Sequence, residues 1–171
     1  MSGFASTTIS VGIVVGDIGR SLTFYRDALG FTEVEGFDVP ASMGGDSGLS
    51  DYKSFHVHVL KLADAKNATE VKLMQFAGTP GERPNNEFIH STLGLRYLTV
   101  YVRDITAALD RAERAGAHPI AKGPVELPAA LAKGVYLAVI RDPDGNMIEL
   151  IGPKRVAGGS GRAKAAPRGT T

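Results

Sequence analysis

Two histidines stand two residues apart in SFHVHVLKL (54–62), and a glutamate and a lysine stand at the same spacing in EVKLMQF (70–76). Alternate residues of an extended chain share a face, so His56 goes with His58 and Glu70 with Lys72. Imidazole and carboxylate are ligands for zinc, iron or manganese, and they also serve as general acids and bases. Two further strand-like runs carry Glu149 with Met147 (NMIELI, 146–151) and Tyr97 with Tyr101 (YLTVY, 97–101). A carboxylate base (Glu149), a phenol acid (Tyr97) and an ammonium to hold an enolate oxygen (Lys72) would suit a lyase or isomerase acting beside a carbonyl. Ser10, His56, His58, Met74, Tyr101, Tyr136 and Met147 are then the residues expected to bind a substrate.

These residues need a scaffold, and the chain repeats one. Residues 13–31 (IVVGDIGRSLTFYRDALGF) and 100–117 (VYVRDITAALDRAERAGA) each pass from a β-prone run through Asp-Ile into a helical apolar period closed by Gly. Ile18, Leu22, Tyr25 and Leu29 fall on one helix face, as do Ile105, Ala108, Leu109 and Ala112. Asp17 and Asp104 stand where an N-cap accepts the first free N–H groups, and Gly30 and Gly116 where a helix ends at positive φ. Strands are predicted next at 31–36, 54–62 and 70–76, and again at 117–120, 134–140 and 146–151, so each half reads βαβββ. The first half is the longer one. Its extra residues belong in 37–53 (FDVPASMGGDSGLSDYK), which reads as an irregular loop long enough to act as a lid. The matching connection in the second half, 121–134, is likewise punctuated by Pro and Gly.

Alternation sorts the strands into an apolar face, including Val11, Ile13, Phe55, Val57, Val59, Val71, Leu73, Val100, Leu137, Val139, Ile148 and Leu150, that should lie under the helices. The other face carries Ser10, Gly12, His56, His58, Glu70, Lys72, Met74, Tyr97, Thr99, Tyr101, Tyr136, Met147 and Glu149. Tyr, His and Met in that number suit a small-molecule cavity, the alternative being a face covered by a partner subunit. The pattern inverts at the end of 54–62, where Lys61 takes the apolar phase and Leu60 the other; a departing strand end or a bulge would account for it.

The stretches VGIVVGDIGRSLTFYRDALGF (11–31), YLTVYVRDITAALDRAERAGA (97–117) and RDPDGNMIELIGP (141–153) resemble the vicinal oxygen chelate superfamily of glyoxalases, bleomycin-resistance proteins, dioxygenases, fosfomycin-resistance enzymes and epimerases. The resemblance covers about residues 9–153. It implies an α+β fold of two βαβββ modules in tandem (9–76 and 96–153, joined by 77–95) forming an incomplete barrel around a cavity. It also implies a divalent metal held by one residue from each of four strands. Those positions are occupied here by Ser10, Lys72, Tyr97 and Glu149, of which Glu149 alone is a good ligand type. No metal and no other cofactor is therefore expected, unless His56, His58 and Glu149 build a relocated site. An ammonium at Lys72 would take roughly the place of the metal's charge and pair with Glu149.

Composition narrows the rest. The 171 residues are 43% hydrophobic and 22% charged, which suits one soluble domain, and the absence of cysteine removes disulfides, thiolate metal sites and a cysteine nucleophile. Residues 154–171 hold five basic and no acidic side chains and read as a disordered basic tail, which leaves 14 basic and 18 acidic residues in 1–153. That balance gives no footprint for nucleic acid. No apolar run is long enough for a membrane helix, and no basic residues open the chain as in a secretory signal, so a cytoplasmic protein is expected. By resemblance it is a homodimer. The expected function is a glyoxalase/bleomycin-resistance-like protein that binds a small organic molecule in the cavity without the usual metal. The alternative is a lyase, isomerase, epimerase or dioxygenase of the same superfamily, and the residues leave open whether the ligand is turned over.

Overall fold

In both halves of the chain an aspartate turns a strand into a helix. β1 (Ser10–Val14) ends at Asp17, whose carboxylate accepts the Arg20 N–H at 3.0 Å and starts α1 (Ile18–Thr23). α1 runs on into a π-helical turn, Phe24–Ala28, and the chain leaves it through Gly30 at φ +83°. β2 (Thr32–Val39), α2 (Ala41–Asp46), β3 (Phe55–Lys61) and β4 (Glu70–Met74) follow. In the second half β5 (Tyr97–Tyr101) leads to Asp104, which accepts the Thr106 and Ala107 N–H groups at 3.0 and 3.3 Å and starts α3 (Ile105–Arg114). β6 (Val125–Glu126), α4 (Ala129–Ala132), β7 (Val135–Arg141) and β8 (Met147–Pro153) complete it. The computed structural model describes residues 3, 5, 6, 8–63, 67–78 and 81–155, so the tail beyond Arg155 lies outside the described residues.

The strands form two four-stranded sheets, ordered β1-β4-β3-β2 and β5-β8-β7-β6, and no closed barrel. In each sheet the first strand of the module runs parallel to the last, and the other pairings are antiparallel. This is the predicted pair of βαβββ modules in tandem.

One core serves both modules. Phe24, Tyr25, Ala28 and Leu29 of the first helical segment meet Ala108 and Ala112 of α3, over Leu60, Val71 and Leu73 of the first sheet and Val100, Ile140, Ile148 and Leu150 of the second. Phe24, Tyr25 and Phe31 stack edge-to-face through it. The buried Asp142 carboxylate, at the β7–β8 turn, accepts the Tyr25 hydroxyl at 3.1 Å, the Asp144 and Asn146 N–H groups and the Asn146 amide. The buried anion thus accepts two hydrogen bonds at each oxygen, and Tyr25 ties the first module to the second.

Two sequence expectations about the connections give way. The 37–53 segment is not an irregular lid loop: β2 continues to Val39, which is buried, and Pro40 turns the chain into α2. Small residues let α2 pack closely, with Gly44 buried against Ser50 and the Ser47 hydroxyl donating to Met43 O at 2.6 Å. No strand forms at 117–120; the edge strand of the second sheet is the short β6 instead.

The strand faces also need correction in both sheets, and registry is the reason. Residues directly opposite in a sheet share a face. In the first sheet Leu60 lies opposite Val71 and His58 opposite Leu73, so His56, His58 and Leu60 are on the helix side. Val59 and Lys61 lie opposite Lys72 and Glu70 on the open side. In the second, Ala138 and Ile140 lie opposite Leu150 and Ile148, which puts Tyr136 in the helix-side phase and Leu137 and Val139 on the open side. The inversion at Leu60 and Lys61 is therefore the true phase of β3, and the irregularity sits in β2, between Val34 and Phe37.

Two substitutions probe this core. Burial first, and the Asp142 charge second, push the Tyr25 phenol above its ordinary value. The folded state then prefers the neutral phenol, so its contribution is complete below about pH 10 and fades as pH rises further. Tyr25→Phe should cost about 1–3 kcal/mol near neutral pH, because Asp142 loses a donor, and should flatten the alkaline loss of stability; urea unfolding followed across pH checks both. Ser21 is fully buried and its hydroxyl has no hydrogen-bond partner among the described residues. Ser21→Ala should raise stability by about 1 kcal/mol in the same measurement.

Candidate functional site

Each sheet keeps one face away from the helices, and the candidate residues divide between these open faces by registry. On the first sheet, β1 contributes Ser10, Gly12 and Val14, in register with Glu70, Lys72 and Met74 of β4. On the second, β5 contributes Tyr97, Thr99 and Tyr101, in register with Met147, Glu149 and Ile151 of β8. The repeat thus places Ser10 and Lys72 on one open face and Tyr97 and Glu149 at the equivalent places on the other.

Glu70 organises the polar end of the first face. It accepts the Ser10 hydroxyl at 2.8 Å and lies 3.1 Å from the Lys61 ammonium and 3.9 Å from that of Lys72. The Ser10 hydrogen bond, then that from Lys61, hold its carboxyl below the usual range for a glutamate. Beyond it the face is apolar: Val39, Phe55, Val57 and Val59 form a second buried cluster, joined by Met74 and Phe76. The Phe37 ring lies 5.8 Å from the Lys72 ammonium. On the second face Glu149 accepts the Thr99 hydroxyl at 2.9 Å. Tyr97 is half-exposed and Tyr101 more so, whereas Met147 is buried. Between the modules, Gly12 and Val14 of β1 face Tyr97, Leu98, Asn146 and Met147 across a cavity of about 280 Å³.

Three of the candidate residues leave the site. His56 and His58 are on the helix side, where Nδ1 of His56 meets Asp38 at 2.7 Å and Nδ1 of His58 meets Glu33 at 2.8 Å, both acids belonging to β2. Their rings meet edge-to-face at 4.7 Å. Tyr136, opposite Gly152, sits under the Lys154 ammonium at 4.2 Å. A relocated metal site of His56, His58 and Glu149 cannot form, since the sheet separates the histidines from the open face. Among the described residues no three His, Asp or Glu side chains gather as a metal site. The expected ion pair between Lys72 and Glu149 is not made either. They belong to different sheets, and the carboxylate within reach of Lys72 is Glu70, two residues away on its own strand.

That Phe55, Val57 and Val59 form core on the open side, beside the half-exposed Phe37, was missed by sequence reasoning. Lys61 was the signal for it. Placing Lys61 beside Glu70 fixes the phase of β3 and brings Phe55, Val57 and Val59 to the open side.

The sequence profile of the glyoxalase/bleomycin resistance protein/dioxygenase superfamily matches residues 7–150. The chain belongs to this superfamily. It is 28% identical to a lactoylglutathione lyase of Haemophilus influenzae over 149 residues, 86% of this chain and 93% of that protein. Among solved structures it is similar to a glyoxalase family protein of Bacillus cereus (TM-score 0.73, 18% identity, 90% of this chain and 97% of that one). A trypanothione-dependent glyoxalase I of Leishmania major is also similar (TM-score 0.59, 21% identity, 85% of each chain). At these identities the structural likenesses show the fold.

The divalent metal implied by the superfamily does not fit the four residues at its positions. Lys72 brings a positive charge and no lone pair at neutral pH, and the Ser10 hydroxyl is spent on Glu70. Tyr97 and Glu149 remain, one neutral phenol and one carboxylate, short of the three or so protein ligands a catalytic metal takes. No helix among the described residues is long and apolar enough to cross a membrane.

The Ser10 hydrogen bond can be tested directly. Ser10→Ala should move the Glu70 carboxyl upward, toward the ordinary glutamate range, in a carbon-detected NMR titration, with Lys61 keeping part of the depression. An unchanged Glu70 titration would mean that Ser10 does not hold it.

Proposed function

We propose that this chain binds a small organic molecule at the open faces of its two sheets, without the divalent metal of its superfamily. The observation that carries this reading is Lys72. It stands at a position that the family resemblance assigns to a metal ligand, on an open face that also exposes Val14 and Phe37. Aromatic and thioether side chains at Tyr97, Tyr101 and Met74 supply contact area for an organic body, and Lys72 and Glu149 supply orientation. His56, His58 and Tyr136 have no part in it.

The similarity to a lactoylglutathione lyase favours a second reading, in which the bound molecule is turned over. Glu149 is then the base, oriented by Thr99, Tyr97 the acid, and Lys72 the group that holds a developing enolate oxygen. This needs no metal as electrophile, and its test is consumption of lactoylglutathione by the untagged protein, abolished in Glu149→Gln.

Metal analysis separates the first reading from the family's usual chemistry. Untagged protein, incubated with zinc, manganese, iron and nickel and then desalted, should retain less than stoichiometric metal by mass spectrometry. Lys72→Glu, which puts a second carboxylate at the four positions the family resemblance assigns to metal ligands, should retain more than the parent. Stoichiometric metal in the parent chain would overturn the metal-free reading.

A further inference from the structure

We propose that the open face of the first sheet takes an organic anion with an apolar body, its charged group resting on the Lys72 ammonium. The inference rests on the small-molecule reading above and names the chemistry of the ligand.

Charge comes first. Two ammoniums, Lys61 and Lys72, face one carboxylate, Glu70. Glu70 is engaged by Lys61 at 3.1 Å and by Ser10 at 2.8 Å, and at 3.9 Å Lys72 lies beyond hydrogen-bond reach of it. The Lys72 ammonium has no hydrogen-bond acceptor among the described residues, and its side chain is 30% exposed. One positive charge is therefore left over, partly withdrawn from water and short of an acceptor. Such a group attracts an anion more strongly than a solvated surface lysine does.

The surroundings set the rest of the ligand. The half-exposed Phe37 ring is 5.8 Å from the Lys72 ammonium, and Val14, also half-exposed, lies on the same open face two residues beyond Gly12, whereas Val57 and Val59 are buried core. Phe37 and Val14 offer an organic body dispersion and apolar burial, and no polar partner to a sugar or a peptide backbone. Gly12 is in register with Lys72 on β1, and the space a Cβ would take there is closed by Cε of Met74, 3.2 Å away. A lysine is a point charge without the fork of an arginine, so the site accepts a carboxylate or a sulfonate alike.

The test uses two dyes with one body, anilinonaphthalene sulfonate and its uncharged counterpart phenylnaphthylamine, titrated by fluorescence into the full chain. The parent should bind the sulfonate more tightly than the neutral dye. Lys72→Met should weaken the sulfonate by about tenfold and leave the neutral dye unchanged, while Lys72→Arg should keep most of the sulfonate affinity. Phe37→Ala should weaken both dyes, which places them on this face. Unfolding midpoints of the variants, matched to the parent, exclude loss of structure as the cause. Equal binding of the two dyes, or a Lys72→Met variant that treats both as the parent does, would overturn the anion inference and leave small-molecule binding standing. Failure of the parent to bind either dye would overturn both.

Discussion

A buried carboxylate must collect donors from wherever the chain can supply them, and Asp142 collects them from two modules. Three come from the turn that joins β7 to β8, through the Asp144 and Asn146 backbone and the Asn146 amide, and the fourth is the Tyr25 hydroxyl. Nearby, Gly16 N–H donates to Asp144 at 3.1 Å, so the end of β1 is held to the same turn. An unpaired charge at this depth would be costly, so the turn and the first helix are fixed relative to each other. That relation decides where β1 lies beside β5, and with it the cavity between Gly12 and Met147. The tight Asp-Pro-Asp-Gly-Asn sequence is thus a structural element that positions the site and enters the cavity only through Asn146.

Module order, caps and helix ends were legible because each rests on a local rule. An aspartate before a helical apolar period caps it, and a glycine after it takes the positive φ, as Asp17, Asp104, Gly30 and Gly116 do. Strand faces were legible only where alternation was unambiguous. In β1, β4, β5 and β8 one phase is polar or aromatic and the other aliphatic, and the structure keeps that assignment. In β3 and β7 both phases hold apolar residues, so the pattern in FHVHVLK and VYLAVIR does not choose between them. Hydrogen-bond register chooses, and register is a property of two strands at once. His56 and His58 went to the wrong side because Phe55, Val57 and Val59 looked like core. They are core, but of the second cluster, on the open side of the sheet.

The same correction changes the chemistry of the first sheet. With histidines on it, the face would be a plausible ligand set for a metal. Without them, it carries two ammoniums, one carboxylate and one hydroxyl beside a buried apolar cluster. The histidines are instead held to the acids of β2, where Arg26 also reaches Glu33 at 3.3 Å. Those pairs lie on the helix side of the sheet and join β2 to β3 on either side of the irregularity between Val34 and Phe37.

The two open faces are no longer equivalent, although the modules that carry them repeat. A metal held between four strands would make matching demands on both halves of the repeat, because each must present ligands. A lysine in one half and a glutamate in the other makes unlike demands: one face then attracts negative charge and the other repels it. The neighbours differ too, with Phe37 beside Lys72, and Thr99 and Tyr97 beside Glu149. A ligand that spanned both faces, as in the proposed function, would therefore be read asymmetrically. An anionic, apolar end would suit the first sheet, and a hydrogen-bonding end the second.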